Sequence, residues 1–411
     1  MKKCLLLFIF FAAFIQFGKT QSKGFFYAKG KEIISADGKP FLIKGTNLGN
    51  WLVPEGYMFK LNNATSPRLI NQAFTELVGP AEMKVFWKKF QDNYITAADI
   101  HYLKILGMNS IRLPFNYRLF TNENYMGQNN DQQGFILFDR LIGWCKKEQL
   151  YIILDMHCAP GGQTGDNIDD GSAYPFLFDS PADQQQTVDI WTKIASRYSN
   201  ENIILGYDLL NEPIAHFFDS SHFNPTLEPL YKKIVAAIRT VDKNHLIFLG
   251  GSQWDSNFRP FGKPFDSNLA YTFHKYWTPA VKSVVQDYID FRDKYNVPIY
   301  VGETGENSDG WVDSFRVVCE QNNIGWHFWP YKKMDSKSGI VSFDKPAGYD
   351  SIINYADAPK KSFQDIRDLR PKNIQTTKAS FNQLLDAILF KKCQGNEGYI
   401  KALGLKYESI R

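Results

Sequence analysis

Ile203-Ile204-Leu205-Gly206-Tyr207-Asp208-Leu209-Leu210-Asn211-Glu212-Pro213 decides the fold. Its apolar residues run on with little polar alternation, as in a parallel strand covered on both faces. It then stops at an amide, a carboxylate and a proline. Tyr151–His157 repeats the plan and ends in Asp155-Met156-His157. Six further short β-branched or aromatic runs recur: Leu42–Thr46, Ser110–Pro114, Leu246–Gly250, Ala270–Tyr276, Pro298–Glu303 and Gly325–Trp329. Helix-period segments stand between them at Ala97–Leu106, Asp139–Glu148, Gln184–Ser199, Leu227–Thr240 and Ala280–Lys294. Eight strands alternating with helices predict an α/β fold, a (β/α)8 TIM barrel. A doubly wound open sheet is the competing architecture, but no G-x-G-x-x-G follows the first run.

In such a barrel the chemistry sits where the strands end. Strand two ends at Arg112, three at His157, four at Asn211-Glu212, six at His274-Lys275-Tyr276, seven at Glu303 and eight at Trp329. Glu212 and Glu303 lie about three βα units apart, which puts them across one mouth. Two carboxylates flanking a cleft are what glycosidic cleavage requires, one protonated and one ionised. Arg112 and the Tyr276 hydroxyl are placed to hold Glu303 as the anion. Glu212 stands within reach of His274, and a charged Glu303 raises its proton affinity.

The set Arg112, His157, Asn211-Glu212-Pro213, His274-Lys275-Tyr276, Glu303 and Trp329 resembles glycoside hydrolase family 5, the cellulase A family of clan A. The resemblance spans about Leu42 to Trp329. It implies Glu212 as acid/base and Glu303 as nucleophile, with retention at the anomeric carbon. It also implies Asn211 on the sugar 2-hydroxyl, Arg112 and Tyr276 supporting the nucleophile, and Trp329 as the floor beneath that sugar. Gly45 to Glu55 and Asp155 to Gln163 are similar to the exo-β-1,3-glucanase branch, with Asn50 and Cys158 where that branch usually has glycine. There Glu55 is implied to bind outer hydroxyls of the terminal sugar. The expected enzyme is a secreted retaining β-glycosidase acting on an oligo- or polymeric β-glucan, with β-1,3 linkages first. A β-1,4-glucanase, a β-mannanase or a glucosylceramide-type hydrolase shares the frame. A non-catalytic sugar-binding barrel would have lost a carboxylate.

Any of these residues alone has a plainer role in packing or salt bridging. Asp155 and Asp208 are expected to orient neighbours, Glu306 to sit in the loop beyond Glu303, and His101, His216, His222 and His245 to lie at the surface or in loops. Cys158 and His157 are adjacent and point to opposite strand faces, against a thiol nucleophile. His157 and His274 stand singly with Arg112 between, against a metal site; no cofactor is expected. Aromatics are 15% of the chain. Trp51, Tyr57, Trp254, Tyr276, Trp277, Trp311 and Trp329 are expected in or beside strand-end loops, where rings stack on sugars.

Working outward, Phe25–Ile34 reads as a hairpin turning at Gly30-Lys31, fit to cap the barrel bottom. Residues 1–20 have the layout of a signal peptide: Lys2 and Lys3, the apolar run Cys4–Ile15, then Gly18 and Thr20. That run is short for a membrane anchor, so no stable membrane insertion is expected. Export to the periplasm, cell surface or medium follows. Removing Lys2, Lys3 and Lys19 takes the net charge from +4 to +1, which argues against a nucleic-acid partner. The barrel is assigned 21–360, its last helix near Lys345–Tyr355. Residues 361–411 form a helical extension packed on it, with helical spacing over 376–392. Cys145, Cys158, Cys319 and Cys393 are too few for a disulfide scaffold, and a monomer is expected.

Overall fold

The computed structural model describes residues 24–410; the expected signal segment, 1–20, lies outside them. Eight parallel strands close a barrel: β1 (Lys44–Asn47), β2 (Ser110–Asn116), β3 (Tyr151–Cys158), β4 (Ile204–Asp208), β5 (Leu246–Gly250), β6 (Leu269–Lys275), β7 (Ile299–Gly305) and β8 (Gly325–Trp329). Each pairs with its sequence neighbour, and β8 closes on β1 through Trp326 opposite Lys44 and Phe328 opposite Thr46. This is the (β/α)8 barrel expected from the strand-end pattern.

Two apolar layers hold it. Ile153, Leu205, Leu246, Phe248, Ala270 and Tyr300 cluster with Phe26 and Ile33. The last two come from the antiparallel hairpin Tyr27–Lys29 with Glu32–Ile34 and the residue before it. The hairpin therefore plugs the barrel bottom, as its position in the chain suggested. The larger layer lies between the strands and the surrounding helices. Helix ends follow local chemistry: Thr96 and Asp99 form a capping box on Ala97–Leu106, and Gly107 at φ 102° ends it.

Helix Ser220–Val241 starts seven residues before the predicted Leu227. Pro225 and Pro229 lie inside it. Asp219 caps the first turn, and buried Phe223 and Leu227 extend one apolar face, so tertiary packing overrides the prolines.

After β8 the chain forms helices Asp350–Asp357, Phe363–Leu369, Ile374–Ala387 and Glu397–Ala402. It also forms a small sheet absent from the sequence expectation, Lys332–Met334 beside Val341–Phe343, joined by Gln394–Gly395. Buried Lys332 donates to the carbonyls of Tyr94 and Ile388 and pairs with Asp99 at 2.7 Å. His245 corrects its expectation: it is buried, 1% exposed, and its Nδ1 lies 2.5 Å from Asp242 Oδ2. Cys145, Cys158, Cys319 and Cys393 are all buried and unpaired. Among the described residues no helix is long and apolar enough to cross a membrane.

Candidate active site

Arg112 rises from β2 into the barrel with no exposed surface. Its guanidinium pairs with Asp155 of β3 (2.9 Å), Asp208 of β4 (2.9 Å) and Glu303 of β7 (2.5 Å). It also donates to Asn47 Oδ1 (3.1 Å) and Asn211 Oδ1 (2.8 Å). Burial pushes Asp155 and Asp208 up to about 7, against the pull of Arg112. Their expected orienting role is visible in these contacts.

Glu303 is gripped twice: Arg112 Nη1 donates to Oε1, and the Tyr276 hydroxyl donates to Oε2 at 3.0 Å. Burial raises its pKa, and Arg112 opposes that rise. Glu212 lies beyond the end of β4, not on it, at φ 47°. Its loop is fixed from several sides. Asn211 N donates to Met156 O, Gln163 Nε2 to Asn211 O, and Thr164 Oγ1 to Glu212 O. Burial pushes the Glu212 carboxyl well up, and the charge of Glu303 adds to it. Of the two, Glu212 is pushed up the more strongly, since Arg112 grips Glu303 directly. An oxygen of each carboxylate and a ring nitrogen of His274 lie within 4.8 Å of one another.

His274 Nδ1 stands 2.7 Å from Glu212 Oε1 and 3.7 Å from Glu303 Oε2. His157 Nδ1 faces Asp155 Oδ2 at 2.8 Å, and burial pushes it down to about 3, so the ring is neutral and Nδ1–H donates. Its Nε2 then accepts from Asn211 Nδ2 at 3.4 Å. Asn211 is thus held at both ends of its amide. Trp329 stacks on His157 at 5.7 Å and donates through Nε1 to Tyr57 OH at 2.6 Å. Gly49 permits this, because a Cβ there would lie 2.6 Å from the Trp329 ring. Glu55 is 4% exposed with Oε1 lacking a partner, and burial raises its pKa well above the usual range.

These groups surround a cavity of about 510 Å³ lined by Glu55, His157, Glu212, His274, Tyr276, Glu303 and Trp329. That volume suits a small organic ligand. Arg112 and Asn211 support the lining from beneath. All nine sequence-predicted site residues come together here. Tyr57, Trp254 and Trp277 line the mouth as expected. Trp51 does not: it is fully buried and donates to Gln91 O. Trp311 lies against the β6 loop, donating to Thr278 O. Glu306, in the loop beyond Glu303 as expected, also lines the rim of the site at φ 51° and pairs with Lys333 at 2.5 Å. Lys333 and Asp255 had no sequence signal, since neither ends a barrel strand. A hollow of about 670 Å³ near Glu76 and Lys361 holds none of the strand-end groups.

Residues 71–336 match the family model for cellulase (glycosyl hydrolase family 5). The chain is 29% identical over 355 residues to a beta-xylosidase of Phanerodontia chrysosporium, covering 77% of this chain and 73% of that one. It is 27% identical over 336 residues to endoglucanase C of Acetivibrio thermocellus, covering 67% and 94%. It is 28% identical over 212 residues to a glucan 1,3-beta-glucosidase of Candida oleophila, covering 47% of each. Among solved structures, an endogalactoceramidase superposes with a TM-score of 0.58 at 19% identity over 75% of each chain, a likeness of fold. A family match over most of the chain, on a barrel whose mouth carries the paired glutamates, makes this protein a glycoside hydrolase of family 5.

Proposed function

We propose that this glycoside hydrolase is a secreted retaining enzyme that cleaves β-glucan, with Glu212 as acid/base and Glu303 as nucleophile. The close approach of the two carboxylates supports the mechanism: an oxygen of each lies within 4.8 Å of the other, which suits direct attack by Glu303, whereas an inverting pair stands apart to leave room for a water. Glu303 attacks the anomeric carbon while Glu212 gives its proton to the leaving oxygen. Water, deprotonated by Glu212, then releases the sugar from Glu303. Arg112 and Tyr276 keep Glu303 ionised, and Asn211 is oriented by Arg112 and His157 to meet the sugar 2-hydroxyl. Glu55 offers a free carboxylate oxygen to outer hydroxyls, and Trp329 an apolar ring face.

The matched relatives are named as a beta-xylosidase, an endoglucanase and a glucan 1,3-beta-glucosidase, and two of these three names support the β-glucan reading. A panel of laminarin, β-1,4-glucan, xylan, mannan and glucosylceramide with product analysis tests it. Turnover of mannan alone would overturn the β-glucan assignment. Proton NMR of the first-formed anomer should show retention, and an inverted product would reassign Glu303. Export follows from the Lys2 to Thr20 layout. Mass spectrometry of exported protein should find a mature N-terminus near residue 21.

A further inference from the structure

The turn after β5 holds three consecutive left-handed residues, Gln253 (φ 50°), Trp254 (φ 58°) and Asp255 (φ 57°). None is glycine, and such backbone persists only where its surroundings enforce it. Here they do. Gln253 Oε1 accepts from Ser252 Oγ (2.7 Å) and Asn257 Nδ2 (2.6 Å), while its Nε2 donates to Asn224 Oδ1 (2.9 Å). The result is the placement of Asp255, which has no exposed surface. Its Oδ2 accepts the backbone N–H of Glu212 at 3.1 Å. The same oxygen stands 3.3 Å from His274 Nε2, a buried nitrogen with no hydrogen-bond partner. The other ring nitrogen, Nδ1, is the one 2.7 Å from Glu212 Oε1. Gly250 makes room, since a Cβ there would lie 2.1 Å from Asp255 Oδ1.

We propose that Asp255 is a positioning residue for the proton of Glu212, acting through His274; this rests on Glu212 being the acid/base. With the proton on Nε2, 3.3 Å from the Asp255 carboxylate, Nδ1 carries the lone pair. Glu212 in its acid form then donates its O–H to that nitrogen, which aims and retains the proton until the leaving oxygen takes it. In the opposite tautomer Nδ1–H faces Glu212 and holds it as the carboxylate, with the proton on Asp255. The two arrangements contain the same protons and differ by two shifts along one line. In the first chemical step the Glu212 proton passes to the leaving oxygen as its bond to the anomeric carbon breaks and the bond to Glu303 forms. In the second, Glu212 takes a proton from water as the water oxygen bonds that carbon and Glu303 leaves. His274 stays neutral throughout, because burial and the nearby Arg112 and His157 hold its pKa well below the usual value. The other groups that face the line are Glu303, Glu55, Asp155, Asp208 and Tyr231.

Asp255→Asn tests this. Its amide oxygen keeps the Glu212 N–H beside Nε2, but the carboxylate charge that favours the Nε2–H tautomer is lost, which favours ionised Glu212. For an unactivated gluco-oligosaccharide, kcat/KM should fall about 10²-fold, and the alkaline limb of its pH profile should move to lower pH. For 2,4-dinitrophenyl β-glucoside, whose leaving group needs no proton, kcat/KM should stay within a few-fold of wild type. Equal losses on both substrates with an unmoved profile, or no loss at all, would overturn the proposal. If the variant fails to fold, His274→Asn cuts the same line and should give the same split; its absence there is equally decisive. Glu212→Gln is the control. No split in Glu212→Gln means the acid/base assignment itself is wrong. A split there but not in Asp255→Asn rejects only the role of Asp255.

Discussion

The Arg112 guanidinium faces three carboxylates, those of Asp155, Asp208 and Glu303, where no water reaches it. Such a cation cannot be removed cheaply, because the acids it leaves behind are buried and unpaired. Arg112→Met should therefore destabilise the fold by about 3–5 kcal/mol, read as a lower urea midpoint. An unchanged midpoint would mean those acids are already neutral. The same arrangement sets the pH dependence. The proposed mechanism needs Glu303 ionised and Glu212 protonated, and burial raises both pKa values, Glu212 with the added push of Glu303. The kcat/KM profile should be a bell, its acid limb from Glu303 and its alkaline limb from Glu212. Because the two carboxylates are coupled, the limbs belong to the pair. Glu212→Gln should abolish the alkaline limb and cost about 10²–10⁴-fold on unactivated substrate. An alkaline limb that survives in this variant would assign the proton to another group.

At the scale of elements, the strands were legible because their ends change character abruptly. Apart from Asp208, Ile203 to Leu210 is apolar and Asn211-Glu212 is not, and burial of β4 on both faces produces that edge. Eight of the nine proposed site residues follow from this one signal; Glu55, in the loop after β1, follows from the resemblance of that loop. What stayed hidden depends on backbone conformation or on distant chain. Gln253 to Asp255 turns left-handed without glycine, so nothing local marks Asp255 as lying beneath Glu212. Lys333 reaches Glu306 from the small sheet after β8, and Trp51 sits in a strand-end loop yet points into the core. The aromatic surplus divides the same way: most rings pack, and a few face the cavity. Trp277 is 75% exposed on the β6 loop and lines the mouth. Trp277→Ala should leave the melting temperature within about 2 °C, as surface changes do. It should raise KM for oligosaccharides several-fold with kcat little changed, as loss of uniform binding does. An unchanged KM would exclude Trp277 from substrate contact.

For the whole molecule, the last stretch of chain is bound into the barrel, not appended to it. Ile388, Ile400 and Leu403 are almost wholly buried, and Gln394–Gly395 completes the sheet that carries Lys333. Tyr399, 1% exposed, lies with its hydroxyl 3.3 Å from the carbonyl of Trp329, which lines the cavity. Deleting 388–411 would expose the pocket each of these side chains fills, at about 1.5–3 kcal/mol per fully buried aliphatic residue. Three such losses approach the ~5–15 kcal/mol that holds a typical domain together. The truncated protein should therefore aggregate or be degraded, with no cooperative melt. Tyr399→Phe separates stability from site support: it keeps the ring and removes only the hydroxyl. It should fold and melt within a few degrees of wild type, with about 1 kcal/mol lost from the missing hydrogen bond. Its activity loss should be confined to KM and kcat changes of a few-fold, through movement of Trp329. A 1–387 chain that melts cooperatively at the wild-type temperature would show that the tail adds nothing to the barrel.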